Sequence, residues 1–256
     1  MNNLKNDIHD YWTNRARGYS EYNQQEMADA RRTMWRDKLL SLLGNQFPEK
    51  KPQEIKILDV GTGPGFFAIL LAEAGYQVTA IDYTEEMLKQ ARKNAGALAE
   101  QITWLRMDAQ HLDFPDSQFD IIVTRNLTWN LDDPQKAYQE WHRVLKDGGT
   151  LLNFDANWYG YLFDEEKRLA YEADRANVAK LSLEDQYTCT DIDAMEALAK
   201  NMPLSNTLRP EWDRRVLTKL GFSDIQIEED MGNQVYSFME RMNYAATPLF
   251  CVQAYK

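Results

Sequence analysis

Cysteine, histidine and long apolar runs are all scarce in this chain of 256 residues. Its two cysteines, Cys189 and Cys251, cannot build a disulfide framework, and neither belongs to a C-x-x-C pair of the kind that holds zinc. The longest apolar run, Phe66 to Ala72, is far short of the roughly 20 residues needed to cross a bilayer. The polar opening Met1-Asn2-Asn3-Leu4-Lys5-Asn6-Asp7 has no signal-peptide apolar core. Basic residues are also in deficit: 29 Lys+Arg against 40 Asp+Glu give a formal charge of −11, which argues against nucleic acid as the main partner. The expectation is a cytoplasmic protein with reduced thiols, no metal, no membrane segment and a small-molecule partner, as monomer or homodimer. Aromatic residues, in contrast, make up 12% of the chain, including seven Trp, which excludes a disordered polypeptide. At this length folding buries roughly 70–75% of the unfolded surface, so one large domain, or one domain with an insertion, is expected.

The first fifty residues read as helical, with Trp35, Leu39 and Leu42 as an apolar stripe that Gly44 and Pro48 stop. From Ile55 short apolar runs alternate with helical segments. Strands are expected at 55–60, 77–81, 102–107, 119–124 and 150–154, with helices at 65–74, 84–99 and 134–145. Thr84 is suited to cap the second of these helices, and Asp133 with Pro134 to open the third. Strands separated by helices imply a mostly parallel α/β sheet with both faces covered. Residues 157–209 break the rhythm with aromatics at helical spacing. A helix over 211–220 and strands over 224–229 and 249–255 follow. The predicted division is an N-terminal helical cap (1–50), a core (51–156 and 210–256) and a helical insertion (157–209) suited to cover an acceptor.

The strongest local signal is Asp59-Val60-Gly61-Thr62-Gly63-Pro64-Gly65-Phe66, a strand running through a glycine turn into a helix. Glycines there allow positive φ and close approach of backbone to a ligand at the carboxyl edge of the sheet. A dinucleotide loop, G-x-G-x-x-G, would need its third glycine at position 66, where this chain has Phe66; no G-K-[ST] follows, which excludes a P-loop. Asp82, at the end of the second strand, is placed to accept hydrogen bonds from the hydroxyls of an adenosine ribose.

With these residues the chain resembles the class I S-adenosylmethionine-dependent methyltransferases, closely over Ile55–Asp155 and loosely over Leu217–Lys256. Besides the glycine turn, the matching segments are Ile81-Asp82-Tyr83-Thr84-Glu85-Glu86-Met87-Leu88, Arg106-Met107-Asp108-Ala109, Phe119-Asp120-Ile121-Ile122-Val123, and Glu140 through Gly149, where Asp147 replaces the usual Pro. The resemblance implies a seven-stranded sheet of order 3-2-1-4-5-7-6 with the last strand antiparallel, and S-adenosyl-L-methionine as cofactor. It implies that Gly61, Thr62, Gly63 and Gly65, with Asp59 in the same motif, underlie the cofactor. Asp82 would hold the ribose, Tyr83 and Met87 would pack on adenine, and Asp108 with Ala109 would meet the adenine edge. Asn126 would face the methionine amine. Tyr11-Trp12-Thr13-Asn14-Arg15-Ala16-Arg17-Gly18-Tyr19 resembles a capping segment, in which Tyr11 lies over the cofactor and Arg15 or Tyr19 binds its carboxylate.

Methyl transfer is an in-line displacement that needs alignment more than a strong acid, and a base only if the acceptor must lose a proton. The candidates for such a base are His9, Tyr19 and Asp155; His111 and His142 read as surface or structural. Thr128, Trp129, Asn157, Trp158 and Tyr159 follow the fourth and fifth strands and are expected to bound a small organic methyl acceptor. Two other readings remain open at this point: a nicotinamide-dependent oxidoreductase, opposed by Phe66, and a cofactor-binding regulatory protein without catalysis.

Overall fold

The computed structural model describes residues 2–44, 46–187 and 190–256, with the backbone alone at residues 2 and 3. Of the two cysteines, Cys251 is free and buried, and Cys189 lies outside the described residues. Two helices come first, α1 (Asn2–Ala28) and α2 (Ala30–Leu43). Then follow β1 (Lys56–Val60), α3 (Phe66–Glu73), β2 (Gln77–Asp82), α4 (Glu85–Ala95), β3 (Ile102–Arg106), β4 (Phe119–Arg125), α5 (Pro134–Val144) and β5 (Leu145–Asp155). Helices α6 (Glu165–Lys180) and α7 (Ile192–Ala199) occupy the aromatic segment. The chain closes with α8 (Glu211–Leu220), β6 (Ser223–Glu228), the short helices α9 (Gly232–Val235) and α10 (Phe238–Asn243), and β7 (Phe250–Tyr255).

The seven strands form one sheet of order β3-β2-β1-β4-β5-β7-β6. Strands β1 to β5 pair in parallel, and β7 runs antiparallel to both β5 and β6. Successive side chains of a strand point to opposite faces, and here both faces are apolar. Ile57, Ile121, Val123, Leu152 and Phe154 face Trp35, Leu39, Phe67 and Leu70 on one side. Leu58, Ile122, Leu151 and Val252 face Tyr138, Trp141 and Leu217 on the other. Helices on both faces therefore fix the sheet, and the loops at its carboxyl edge are left to form a site.

Local chemistry explains the boundaries. Asp133 accepts from the Lys136 N–H and Pro134 opens α5, as expected. Gly221, at φ 96°, closes α8 in the left-handed region. The apolar stripe of α2 differs from expectation: Leu43, not Leu42, is its third buried member, because spacing of four from Trp35 and Leu39 keeps it on the sheet side. The expected long α4 stops at Gly96, whose φ is 53°, and a 3-10 turn carries the chain to β3. Helix α1 buries a stripe of small and polar residues, Ala16, Ser20, Asn23 and Glu26, instead of a greasy one. Ser20 and Gln24 bond to Asn94 of α4, so this helix lies across the carboxyl edge of the sheet rather than on its apolar face.

Candidate functional site

A cleft of about 450 Å³ opens at that edge, walled by α1, the β1–α3 turn, the ends of β2 to β5, Glu184, Gln186, Tyr187, Thr190 and Tyr244. Its floor is the glycine turn. Gly61 (φ 66°), Gly63 (φ 54°) and Gly65 (φ 93°) all sit where L side chains are strained. A Cβ on Gly61 would stand 2.7 Å from the Leu127 side chain, so the first glycine is required by space as well as by φ. Asp59 fixes the turn from beneath, accepting from the Thr62 hydroxyl at 2.6 Å. Burial pushes the Asp59 carboxyl up to about 7 against that bond.

Asp82 crosses from the end of β2 to the turn. It accepts the Gly63 N–H at 2.9 Å and the Thr84 N–H at 2.8 Å while lining the cleft. Burial raises it to about 6, partly offset by these backbone donors. Tyr83 lies beside it, with the His9 ring edge-on at 5.3 Å and the Lys5 ammonium 5.3 Å from the ring centre. Lys5 also donates to Asp108, whose carboxylate takes the Gln110 N–H and meets His111 as well. Burial alone would raise Asp108; the Lys5, Gln110 and His111 contacts outweigh it and hold the carboxyl below its usual range. The first turns of α1 are thus fastened to this end of the cleft.

The opposite wall starts at Asn126, which adopts φ 57° and whose N–H bonds to the Phe154 carbonyl. Its side-chain oxygen is buried without a hydrogen-bond partner, on the lining of the cleft. The preceding Arg125 makes a bidentate pair with Glu26 of α1, both bonds 2.9 Å, and its guanidinium lies 4.4 Å from the Phe66 ring centre. Burial opposes the Arg125 charge, but Glu26 overrides it and keeps the guanidinium ionised. Arg15 also lines the cleft, curled into the space a Cβ on Gly18 would need, and among the described residues no carboxylate pairs with it. Burial pushes the Tyr19 phenol above its ordinary range, so at neutral pH it donates and does not accept a proton.

Most of the residues singled out by sequence converge here: His9, Tyr11, Arg15, Tyr19, Asp59, Gly61, Thr62, Gly63, Asp82, Tyr83, Met87, Asp108, Ala109, Asn126, Trp129, Trp158 and Tyr159 all line the cleft. Four others do not. Gly65 turns into the core, where an added Cβ would meet Ala91 and Trp104. Thr128 is fully buried in a 3-10 turn. Asn157 donates to the Arg209 carbonyl. Asp155 is fully buried and accepts from the Trp129 and Ala156 N–H groups and from Arg209, which also grips Asp213. An oxygen pair so occupied supports the loops and cannot serve as a base. His9 lies at the Tyr83 end, away from Asn126. Among the residues that sequence reasoning missed are Lys5, Glu26 and Tyr244, each joined to the site by a contact over a long stretch of chain. Among the described residues no cluster of metal-ligating side chains occurs, and no helix is long and apolar enough to cross a membrane.

The sheet order with its antiparallel β7, and the glycine turn facing an acidic β2 end, define the Rossmann-like class I fold of S-adenosylmethionine-dependent methyltransferases. Residues 58–153 match the family model described as "Methyltransferase domain". Among curated relatives, the ubiquinone/menaquinone biosynthesis C-methyltransferase UbiE of Cereibacter sphaeroides is 29% identical over 76% of this chain and 75% of its own length. Phosphatidylethanolamine N-methyltransferase of the same organism is 37% identical over 45% of this chain and 58% of its own. The chain spans about half the length of the curated relatives it matches first. Among solved structures, a Methanococcus maripaludis protein provisionally classed as an S-adenosyl-L-methionine-dependent methyltransferase superposes with TM-score 0.61, at 21% identity, over 95% of this chain and 93% of that one. Phosphoethanolamine N-methyltransferase 2 of Haemonchus contortus, solved with phosphomonomethylethanolamine and S-adenosylhomocysteine, gives 0.55 at 18% identity over 86% of this chain and 52% of that one.

Proposed function

We propose that the protein transfers a methyl group from S-adenosyl-L-methionine to a small organic acceptor. The observation that carries this reading is the single continuous cleft in which the glycine turn and Asp82 stand at one end and Trp129, Trp158 and Tyr159 at the other. The donor set suits the cofactor part by part. Asp82 offers carboxylate oxygens to two vicinal hydroxyls, Tyr83 and Met87 offer apolar surface to a purine, and Arg15 offers a free guanidinium to a carboxylate. The unpartnered Asn126 oxygen is an acceptor suited to an ammonium group. When bound, the cofactor supplies the electrophilic methyl on sulfur; the chain's own part is to hold both reactants in line and to exclude water. Orientation of this kind lowers a barrier by roughly 7–11 kcal/mol.

The relatives bear names of different chemistry, carbon methylation in one and nitrogen methylation in another. A nucleic-acid acceptor finds no support in a formal charge of −11. Residues 1–50 act in this reading as the cap over the cofactor, and residues 157–209 as part of the acceptor wall, in a cytoplasmic enzyme. Calorimetry with S-adenosylhomocysteine tests the proposal: binding is expected in the wild type and at least about tenfold weaker binding in Asp82→Ala, since a carboxylate bonded to ligand is worth about 1.5–3 kcal/mol. Wild-type protein that fails to bind it would refute the reading.

A further inference from the structure

The acceptor end of the cleft has a chemistry of its own. Its walls are aromatic on several sides: Trp129 against Tyr159 at 5.1 Å, Trp158 against Tyr244 at 5.2 Å, and Tyr187 against Tyr244 at 5.6 Å, with Tyr22 of α1 on the same lining. Glu184 stands on the same lining, and among the described residues no Lys or Arg pairs with it. The guanidinium on the adjoining wall, Arg125, is neutralised by Glu26. The aromatic cluster already holds one cation from behind: Arg175 lies 4.7 Å from the Tyr187 ring centre and 5.3 Å from that of Tyr171, with its charge met by Asp185. Ring faces attract cations, and a carboxylate at the mouth adds to the attraction.

We infer that the methyl acceptor is an amine, bound so that its nitrogen sits among Trp158, Tyr187 and Tyr244 with Glu184 at the entrance. The inference rests on the methyl-transfer reading above. The balance of the step suits this surface. The lone pair of the neutral amine forms the new N–C bond, the methyl carbon's bond to sulfur breaks with its electron pair kept by sulfur, and the positive charge passes to nitrogen. A nitrogen that carried hydrogen then releases one proton to water. The positive charge moves onto the atom that the rings surround, so they stabilise it where it develops. A phenol or a quinol carbon would instead need a proton acceptor. Near that wall Asp155 is held by Arg209 and burial keeps the Tyr159 and Tyr187 phenols protonated, which leaves Glu184 at the entrance, where it pairs with the charge of a bound ammonium group.

The test uses the full chain loaded with S-adenosylhomocysteine and two probes of one shape, choline and its uncharged carbon counterpart 3,3-dimethylbutan-1-ol. Choline is expected to bind about tenfold or more tightly than the alcohol by calorimetry. Tyr187→Leu and Glu184→Gln should each reduce that preference several-fold, and Tyr187→Phe, which keeps the ring, should retain it. Unchanged S-adenosylhomocysteine affinity in the variants certifies their fold. In turnover, labelled methyl from the cofactor should pass to 2-phenylethylamine and not to 4-ethylphenol, with a rate that climbs with pH toward the amine's own pKa. Equal binding of the two probes, or transfer to the phenol in preference, overturns the amine assignment while leaving the methyltransferase reading in place. Wild-type protein that does not bind S-adenosylhomocysteine overturns both.

Discussion

Two carboxyl groups of the cleft floor, Asp59 buried and Asp82 part-exposed, set its response to pH. Asp82 is raised to about 6 by burial, against an unfolded value near 3.9. Only the ionised form accepts hydrogen bonds from both hydroxyls of a ribose. The affinity for S-adenosylhomocysteine should therefore climb as pH rises from about 5 to 7, and Asp82→Asn should flatten the climb; calorimetry across that range checks it. Asp59 is raised further, to about 7, at 2% exposure. A raised folded pKa means that the stability tied to this group is complete below about 4 and is lost as pH passes 7, by on the order of 4 kcal/mol. Thermal melts should fall between pH 5 and 8, and Asp59→Asn should reduce that fall, because the Asn oxygen still accepts from Thr62 without a charge to bury. At this scale sequence reading was strongest where function needs a residue type at a fixed offset. The glycine turn, Asp82 and Asn126 were legible; the fate of Asp155 was not, because its partner Arg209 is 54 residues away and Arg is found as readily on a surface.

Among the elements, α1 is held by two different means. Lys5 on Asp108 is a partly exposed contact near one end of the helix, and such pairs contribute little. Glu26 on Arg125 is a buried, bidentate one near the other. The first should release readily and the second should not. Lys5→Ala is expected to increase protease cleavage within the first turns of α1 several-fold, with S-adenosylhomocysteine suppressing the cleavage; equal digestion of variant and wild type would contradict the fastening role. Glu26→Gln would leave the Arg125 charge buried and unmatched, at a cost of about 3–5 kcal/mol. For a chain of this size that corresponds to a fall in Tm of roughly 6–20 °C. Replacing both partners by apolar residues, Glu26→Leu with Arg125→Met, should recover much of the loss. The strands and the helices that cover them were readable from apolar alternation and from caps such as Asp133-Pro134. Helices α9 and α10 were not, since they are short and their residues pack between elements from opposite ends of the sequence. The polar buried stripe of α1 was equally silent, because a helix lying over a cleft lacks the apolar face that marks a core helix.

Across the whole molecule, the cleft joins segments that lie far apart in the sequence. A ligand bound between them links the N-terminal helix to the sheet edge and to Tyr187. Saturation with S-adenosylhomocysteine at about 100 times its Kd should add about 2.7 kcal/mol, or roughly 5–11 °C in Tm. Hydrogen exchange should slow in α1 together with the β1–α3 turn. Protection confined to the turn would show that α1 takes no part in enclosing the ligand. The sheet order belongs to this scale too: spacing of strands and helices implied a mostly parallel sheet, whereas the order itself came from resemblance, because no local pattern tells which strand pairs with which.

The placement of Tyr244 carries one more consequence, in the order of synthesis. The glycine turn and Asp82 emerge from the ribosome early and can close their part of the sheet with β1, β2 and β4. Tyr244 is made long afterwards, just before β7 enters between β5 and β6. A nascent chain thus completes the surfaces around its glycine turn well before it has an aromatic wall to receive an acceptor, and the finished pocket is a late product of translation.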